Sequence, residues 1–199
     1  MNKFFGIAKE LVFVQFIKKI LYFFKYHLFD KYELIYFSLR LNDFSFRFSE
    51  ITSSLNIRIA TKSDIIKIEK DIYPFTGKRE EYDKRFISKI GDENIIVVLM
   101  EKNNKIIHYS LVFKNAIDSP LIKTPLKKHH FNKESAYLGS VFTVPDQRGV
   151  FILPSVLGFI VTYLTNNSKI NRLILLVHPK TTGASKFYQV LGFKKINNS

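Results

Sequence analysis

Hydrophobic and polar positions follow two rhythms along this chain, and the changes of rhythm mark its elements. From Asn56 onward, short apolar runs read as strands: Asn56–Ala60, Asn94–Met100, Lys105–Phe113, Ala136–Val144 and Arg172–Val177. Between them, helical spacing takes over. Thr61-Lys-Ser-Asp64 has the spacing of a capping box and starts a helix to about Asp71, which Tyr73–Gly77 interrupts. Glu80–Ile90 reads as a charged helix stopped by Gly91, Val150 to about Leu164 as an apolar helix, and Thr182–Leu191 as a short last one. Lys102-Asn103-Asn104 is the turn of a hairpin, and residues 114–134 form a basic loop around Pro120, Pro125 and Lys127-Lys-His-His130. This order predicts an α/β domain over residues 51–199.

Residues 1–50 differ. Half of the 20 Phe and 10 Tyr residues fall within them. Phe4–Leu28 reads as a helix with Phe5, Val12, Phe16, Ile20 and Phe23 on one face, Lys3, Lys18 and Lys25 on the other, and Lys9 breaking the apolar side. Residues 29–50 read as an extended or irregular connector, in which Phe44, Phe46 and Phe48 share a face. The longest uncharged stretch of the helix, Leu11–Ile17, is far short of the ~18 residues a span requires. With Lys18-Lys19 in the apolar region and no small-residue cleavage pattern after it, the segment does not read as a cleaved signal peptide either. Two readings remain open. The helix packs on the main domain or on a second subunit of a homodimer, or residues 1–28 lie in the interface of a membrane.

Composition narrows the chemistry. Hydrophobic residues make up 46% of 199, enough for a substantial core. The absence of Cys removes disulfides, thiol nucleophiles and thiolate metal sites. A formal charge of +14 favours an anionic partner or an ordinary solvated surface. No zinc-finger, basic-zipper or RNP fingerprint points to nucleic acid. His129 and His130 are adjacent and lack a third ligand at suitable spacing, so no metal site is expected and a solvated loop is.

The turn Pro145-Asp-Gln-Arg-Gly149 precedes the apolar helix. The unpaired first-turn amides and dipole of a helix make a site for phosphate oxygens, and Arg148 adds a cation. Pro154 falls in or beside that first turn, where a missing N–H costs little. The sequence Val144-Pro-Asp-Gln-Arg148-Gly149, a helix, a strand, then Ala184-Ser-Lys-Phe-Tyr188-Gln-Val-Leu-Gly192-Phe193 resembles the GNAT superfamily of acyl-CoA-dependent N-acetyltransferases. The resemblance covers the last third well and residues 56–113 in outline. It implies a mixed, mostly antiparallel sheet flanked by helices, here with an aromatic helical appendage at the N-terminus. It implies acetyl-CoA as donor substrate, with its pantetheine arm between two splayed strands, 136–144 and 172–177. Donor contacts would come from Phe142, Val144, Arg148 and Gly149, from Val150, Phe151, Ile152 and Leu153, and from Thr181 and Ala184. Tyr188 matches the tyrosine that protonates the leaving thiolate.

Three positions depart from the family pattern. Phe151 and Leu153 replace small residues, and Thr181 replaces an Asn. Donation from the backbone survives if Phe151 and Leu153 turn into the core. Amide formation also needs a base, and His108, His178 and Glu134 are the candidates. The expected reaction is acetyl transfer to a small primary amine. A weaker resemblance, to GNAT proteins of bacterial surface-polysaccharide synthesis, suggests an amino sugar. The alternatives are a longer acyl chain delivered by acyl carrier protein or acyl-CoA, and a noncatalytic acyl-CoA-binding protein. The implied location is the cytoplasm, at the inner membrane surface if residues 1–28 anchor there.

The membrane reading has a direct test. Each Lys near an anionic surface contributes ~1 kcal/mol, and the attraction fades over a Debye length. Full-length protein should therefore sediment with anionic vesicles at low salt, and lose that association in neutral vesicles or high salt. Indifference to vesicles, with aggregation once residues 1–50 are removed, would assign the helix to packing instead.

Overall fold

The structure is a computed structural model that describes residues 34–44, 56–77, 80–124, 126, 130, 132–149, 151–179, 181 and 183–196. The chain divides into two compact units, Met1–Leu34 and Ile35–Ser199. The expected helix at 4–28 lies outside the described residues, as do Phe46 and Phe48.

The expected mixed sheet with flanking helices is present. Its strands are β1 (Ile35–Arg40), β2 (Asn56–Ile59), β3 (Ile95–Lys102), β4 (Lys105–Phe113), β5 (Ser135–Thr143), β6 (Arg172–Val177) and β7 (Lys194–Ile196). The helices are α1 (Asp64–Asp71), α2 (Glu80–Ile87), α3 (Ile152–Asn167) and α4 (Ala184–Val190). The spatial order is β2-β3-β4-β5-β6-β1-β7. β5 and β6 are parallel, and the other neighbours are antiparallel.

Local chemistry explains several boundaries. Asn103 (φ 50°) and Asn104 (φ 60°) form the two-residue turn between β3 and β4. Asn tolerates the left-handed region better than most residues, and such turns match the twist of a hairpin. At the start of α1, the Thr61 N–H and hydroxyl both donate to Asp64 Oδ2, at 2.8 and 3.0 Å. Arg58 from β2 clamps the same carboxylate with two bonds of 2.7 and 2.6 Å. The apolar helix starts at Ile152 rather than Val150, so Pro154 lies in its first turn.

Alternation divides the core between two faces of the sheet. On one face, Val98, Val112, Leu138 and Leu175 pack with Val156, Leu157 and Ile160 of α3 and Tyr188 of α4. On the other, Tyr109 and Phe113 meet α2 through Asp83 and Phe86.

The expected connector at 29–50, with a domain boundary at 51, is corrected. Ile35–Arg40 is an inner strand, antiparallel to β6 on one side and β7 on the other. Tyr36, Phe37 and Leu39 are all buried. A strand covered on both faces reads as a continuous apolar run, so it lacks the alternation that marks a half-exposed strand.

β7 is reached through Gly192, which has φ +94° and would carry a Cβ 2.7 Å from the Asp43 carbonyl oxygen. Gly183 has φ +81° with nothing within 4 Å. Gly192→Ala should therefore cost more than about 2 kcal/mol, strain and backbone clash together, and Gly183→Ala only about 1 kcal/mol of strain. Urea unfolding at unchanged m-value measures both. Equal losses would show that the contact with Asp43 relaxes freely.

Candidate active site

β5 is paired along one edge and only partly along the other. It pairs with β4 from Tyr137 to Thr143, but with β6 only over Ser135–Leu138 against Arg172–Leu175. The register with β4 slips where pairing with β6 ends. Leu111 faces Ser140 and Val112 faces Leu138, so Gly139 is the extra residue of a bulge. A Cβ at Gly139 would sit 2.9 Å from Phe113 Cε2 and 3.2 Å from Tyr137 Cε1, so the bulge needs a glycine on packing grounds. Beyond Leu175, the described pairing of β6 is with β1 alone. The two parallel strands thus diverge, as expected from the sequence.

A cavity of about 300 Å³ opens at this divergence, walled by Leu138, Gly139 and Val141 of β5, Leu175 to Val177 of β6 with His178 just beyond it, and α4. A second cavity of about 640 Å³ runs past Thr143, Arg148 and Gly149 to Ile152 and Leu153, in the first turn of α3. The two share walls at Val141, Thr181, Ala184 and Tyr188, and together form one groove. Phe151 at the start of α3 offers no capping side chain, so the Ile152 and Leu153 amides have no cap among the described residues, while Pro154 has no N–H to donate. Arg148 Nε donates to the Thr143 carbonyl at 3.2 Å, which holds the guanidinium group beside the turn.

Tyr188 stands at the junction of the cavities and is 9% exposed. Its ring is fixed by Phe37, Phe187 and Phe193, with centroids 6.3, 5.5 and 5.4 Å away. His178 is half-buried on the wall of the smaller cavity, and its carbonyl accepts the Thr181 N–H at 2.8 Å.

The other base candidates lie elsewhere. Glu134 sits at the closed end of the strand pair, where its carbonyl accepts the Asn171 and Arg172 amides at 3.0 and 3.2 Å. His108 is fully buried between Thr143 Oγ1 (2.7 Å from Nδ1) and Ser110 Oγ (2.9 Å from Nε2). Burial pushes its pKa down from 6.5 to about 3, so it is neutral at ordinary pH. It meets the groove only through Thr143.

The expected donor contacts divide in the same way. Arg148, Gly149, Ile152, Leu153, Thr181 and Ala184 line the groove. Val150 lies outside the described residues. Phe151 does not turn into the core: it is 51% exposed and lies on neither wall. Leu153 is half-buried against the core and does line the larger cavity.

Of the expected donor-contact residues on β5, neither Phe142 nor Val144 lines the groove; Val141 and Thr143 do. Phe142 points to the other face and stacks on Tyr109 at 6.1 Å, and Val144 borders a different cavity. The bulge at Gly139 fixes this parity, and strict alternation from the start of the strand does not reveal it. Sequence reading also missed Phe37, hidden in the unrecognised β1, and Asp83, which accepts hydrogen bonds from Tyr109 and from Ser140 Oγ (2.6 Å) beneath the bulge. Among the described residues, no group of three His, Cys, Asp or Glu is placed to hold a metal ion, and no helix is long and apolar enough to cross a membrane.

The architecture is similar to solved structures. A tandem GNAT protein from the clavulanic acid biosynthesis pathway aligns with TM-score 0.56 and 11% identity, over 83% of this chain and 50% of its own. A functionally unknown conserved protein from Staphylococcus epidermidis ATCC 12228 aligns at 0.54 and 12%, over 82% and 57%. A possible acetyltransferase from Clostridium difficile 630 aligns at 0.51 and 15%, over 73% and 93%. The chain spans about half the length of the first two. These likenesses establish the GNAT fold. No protein-family model and no curated protein matches the sequence.

The buried imidazole gives a pH test. An unfolded His takes up its proton near pH 6.5, and folded His108 does so only near 3. As pH falls, the unfolded chain therefore binds the proton first. Stability is unaffected by this group above about pH 6.5 and is lost progressively down to about 3, at up to about 1.4 kcal/mol per pH unit. Urea midpoints of the wild type should fall between pH 7 and 5, more steeply than those of His108→Gln. Parallel slopes would mean that water reaches the ring.

Proposed function

We propose that the chain is an N-acetyltransferase that moves the acetyl group of acetyl-CoA to a primary amine. The observation that carries this reading is the divergence of two parallel strands into a groove that ends at the first turn of a helix, with a tyrosine on the walls of both cavities. The smaller cavity, with Leu138, Val141 and Leu175 on its wall, suits an apolar arm carrying a thioester. The amides of α3 and Arg148 suit a pyrophosphate.

In this reading the amine nitrogen attacks the thioester carbon, an amide bond forms, and the carbon–sulfur bond breaks. The Tyr188 hydroxyl gives its proton to the thiolate. His178, directly or through water, takes the proton lost by the nitrogen. Backbone amides of β5 freed from β6 by the bulge stabilise the charge on the carbonyl oxygen. The proposed acceptor is an amino sugar of surface-polysaccharide synthesis, and the proposed location is the cytoplasm, at the inner membrane face if residues 1–28 bind there.

One feature favours a rival. Leu153 occupies the larger cavity's wall at a position where the resembling proteins carry a small residue, which suits a protein that binds acyl-CoA without turnover.

Thiol release by the full-length protein, with acetyl-CoA or acyl-carrier thioesters against nucleotide-linked amino sugars and amino acids, separates the readings. Acetyl-CoA with an amino sugar should release thiol. Tyr188→Phe should lower kcat about a hundredfold or more with little change in KM. Arg148→Ala should raise KM for acetyl-CoA about tenfold and leave kcat nearly intact. Full turnover by Tyr188→Phe would remove the acid assignment, and acetyl-CoA binding with no thiol release on any amine would leave the noncatalytic reading.

A further inference from the structure

A third cavity, of about 580 Å³, lies at the hairpin end of the sheet, across the turn Pro145–Gln147 from the groove. Three lysines from three elements converge on it: Lys70 from the last turn of α1, Lys102 from the end of β3 and Lys105 from the start of β4. Lys102 and Lys105 are direct cross-strand partners. Like charges facing each other across a strand pair are destabilising unless something neutralises them.

Among the described residues, no carboxylate forms an ion pair with any of the three. Glu101, one residue before Lys102, is already shared by Arg58 (2.8 Å) and Lys67 (2.9 Å). Lys102 Nζ reaches only the neutral Gln147 Oε1, at 3.2 Å. Lys70 and Lys105 make no ion pair among the described residues. Two carboxylates also stand on the wall, Asp71, whose Oδ2 accepts the Ile106 amide at 2.9 Å, and Asp146, which accepts from Gln147 at 3.3 Å. Against the three lysines they leave the cavity with a positive balance and no lysine–carboxylate ion pair among the described residues. Beside the lysines stands Phe75, 52% exposed, an aromatic face with no ring packed on it among the described residues. Cations clustered next to an uncovered aromatic face match a ligand with phosphates and a flat ring.

We propose that this cavity binds a phosphate-bearing ligand, with its phosphates among Lys70, Lys102 and Lys105 and its ring on Phe75. Such a phosphate belongs either to a nucleotide-linked acceptor or to the adenosine end of the acyl donor. Only that assignment rests on the proposed acetyl transfer. The binding itself does not.

Calorimetric titration of the full-length protein needs no turnover. The probes are a nucleoside diphosphate, adenosine 3′,5′-bisphosphate and acetyl-CoA, and the variants are Lys102→Ala/Lys105→Ala and Arg148→Ala. The nucleoside diphosphate should bind the wild type and Arg148→Ala alike, and the double variant at least about tenfold more weakly. Acetyl-CoA should bind the double variant normally. If instead the bisphosphate and acetyl-CoA are the probes that weaken in the double variant, the site stands and its phosphate is the donor's. Phosphate probes that fail to bind at millimolar concentration, or that bind the double variant as tightly as the wild type, overturn the proposal. Thiol release measured separately on the same samples shows whether the transferase reading fails with it.

Discussion

β5 cannot satisfy two neighbours at once along its whole length. It keeps its ladder to β4 through Thr143, and after Leu138 it gives up β6. A bulge at Gly139 makes both conditions compatible, because an extra residue bends the strand while the far edge stays paired. The candidate chemistry sits where that compromise leaves backbone unpaired. The ring contacts of Phe113 and Tyr137 leave no room there for a Cβ, so packing on one face of the sheet fixes the opening between its strands.

The same bulge decides which side chains the groove receives. It sets Val141 and Thr143 toward α3 and α4, and Phe142 toward Tyr109 on the other side. Thr143 then shares its hydroxyl with a histidine that burial keeps neutral, and its carbonyl with Arg148. One residue at the end of a strand thus links the buried polar cluster to the turn before α3. Tyr188 is held by rings from three segments, β1, α4 and the Gly192-Phe193 approach to β7. A ring fixed in this way holds its hydroxyl at a defined place on the groove wall.

Much of this was legible in the residues. β4 and β6 have the bounds that their apolar runs predict, and α1 ends at Asp71 as the interruption at Tyr73 requires. The turn, the divergence and Tyr188 followed from motif order. What stayed hidden depends on contacts distant in sequence. β1 has polar neighbours and no alternation, and only its position between β6 and β7 makes it a strand. The roles of Glu134 and His108 turned on which end of a strand is closed and which ring is sealed, and residue type carries neither fact. Phe151 looked obstructive because its identity departs from the pattern, but its direction is set by the backbone before α3.

The place of β1 has a consequence for how the chain is made. Ile35–Arg40 is made well before either of its partners, Arg172–Val177 and Lys194–Ile196. Contacts so far apart in sequence form slowly, because a long loop must close before any of them contributes. Throughout synthesis of the intervening residues, Tyr36, Phe37 and Leu39 have no sheet to enter. Among the described strands, the segment that later holds Tyr188 therefore waits longest for its partners, and chaperones have the most time to meet it.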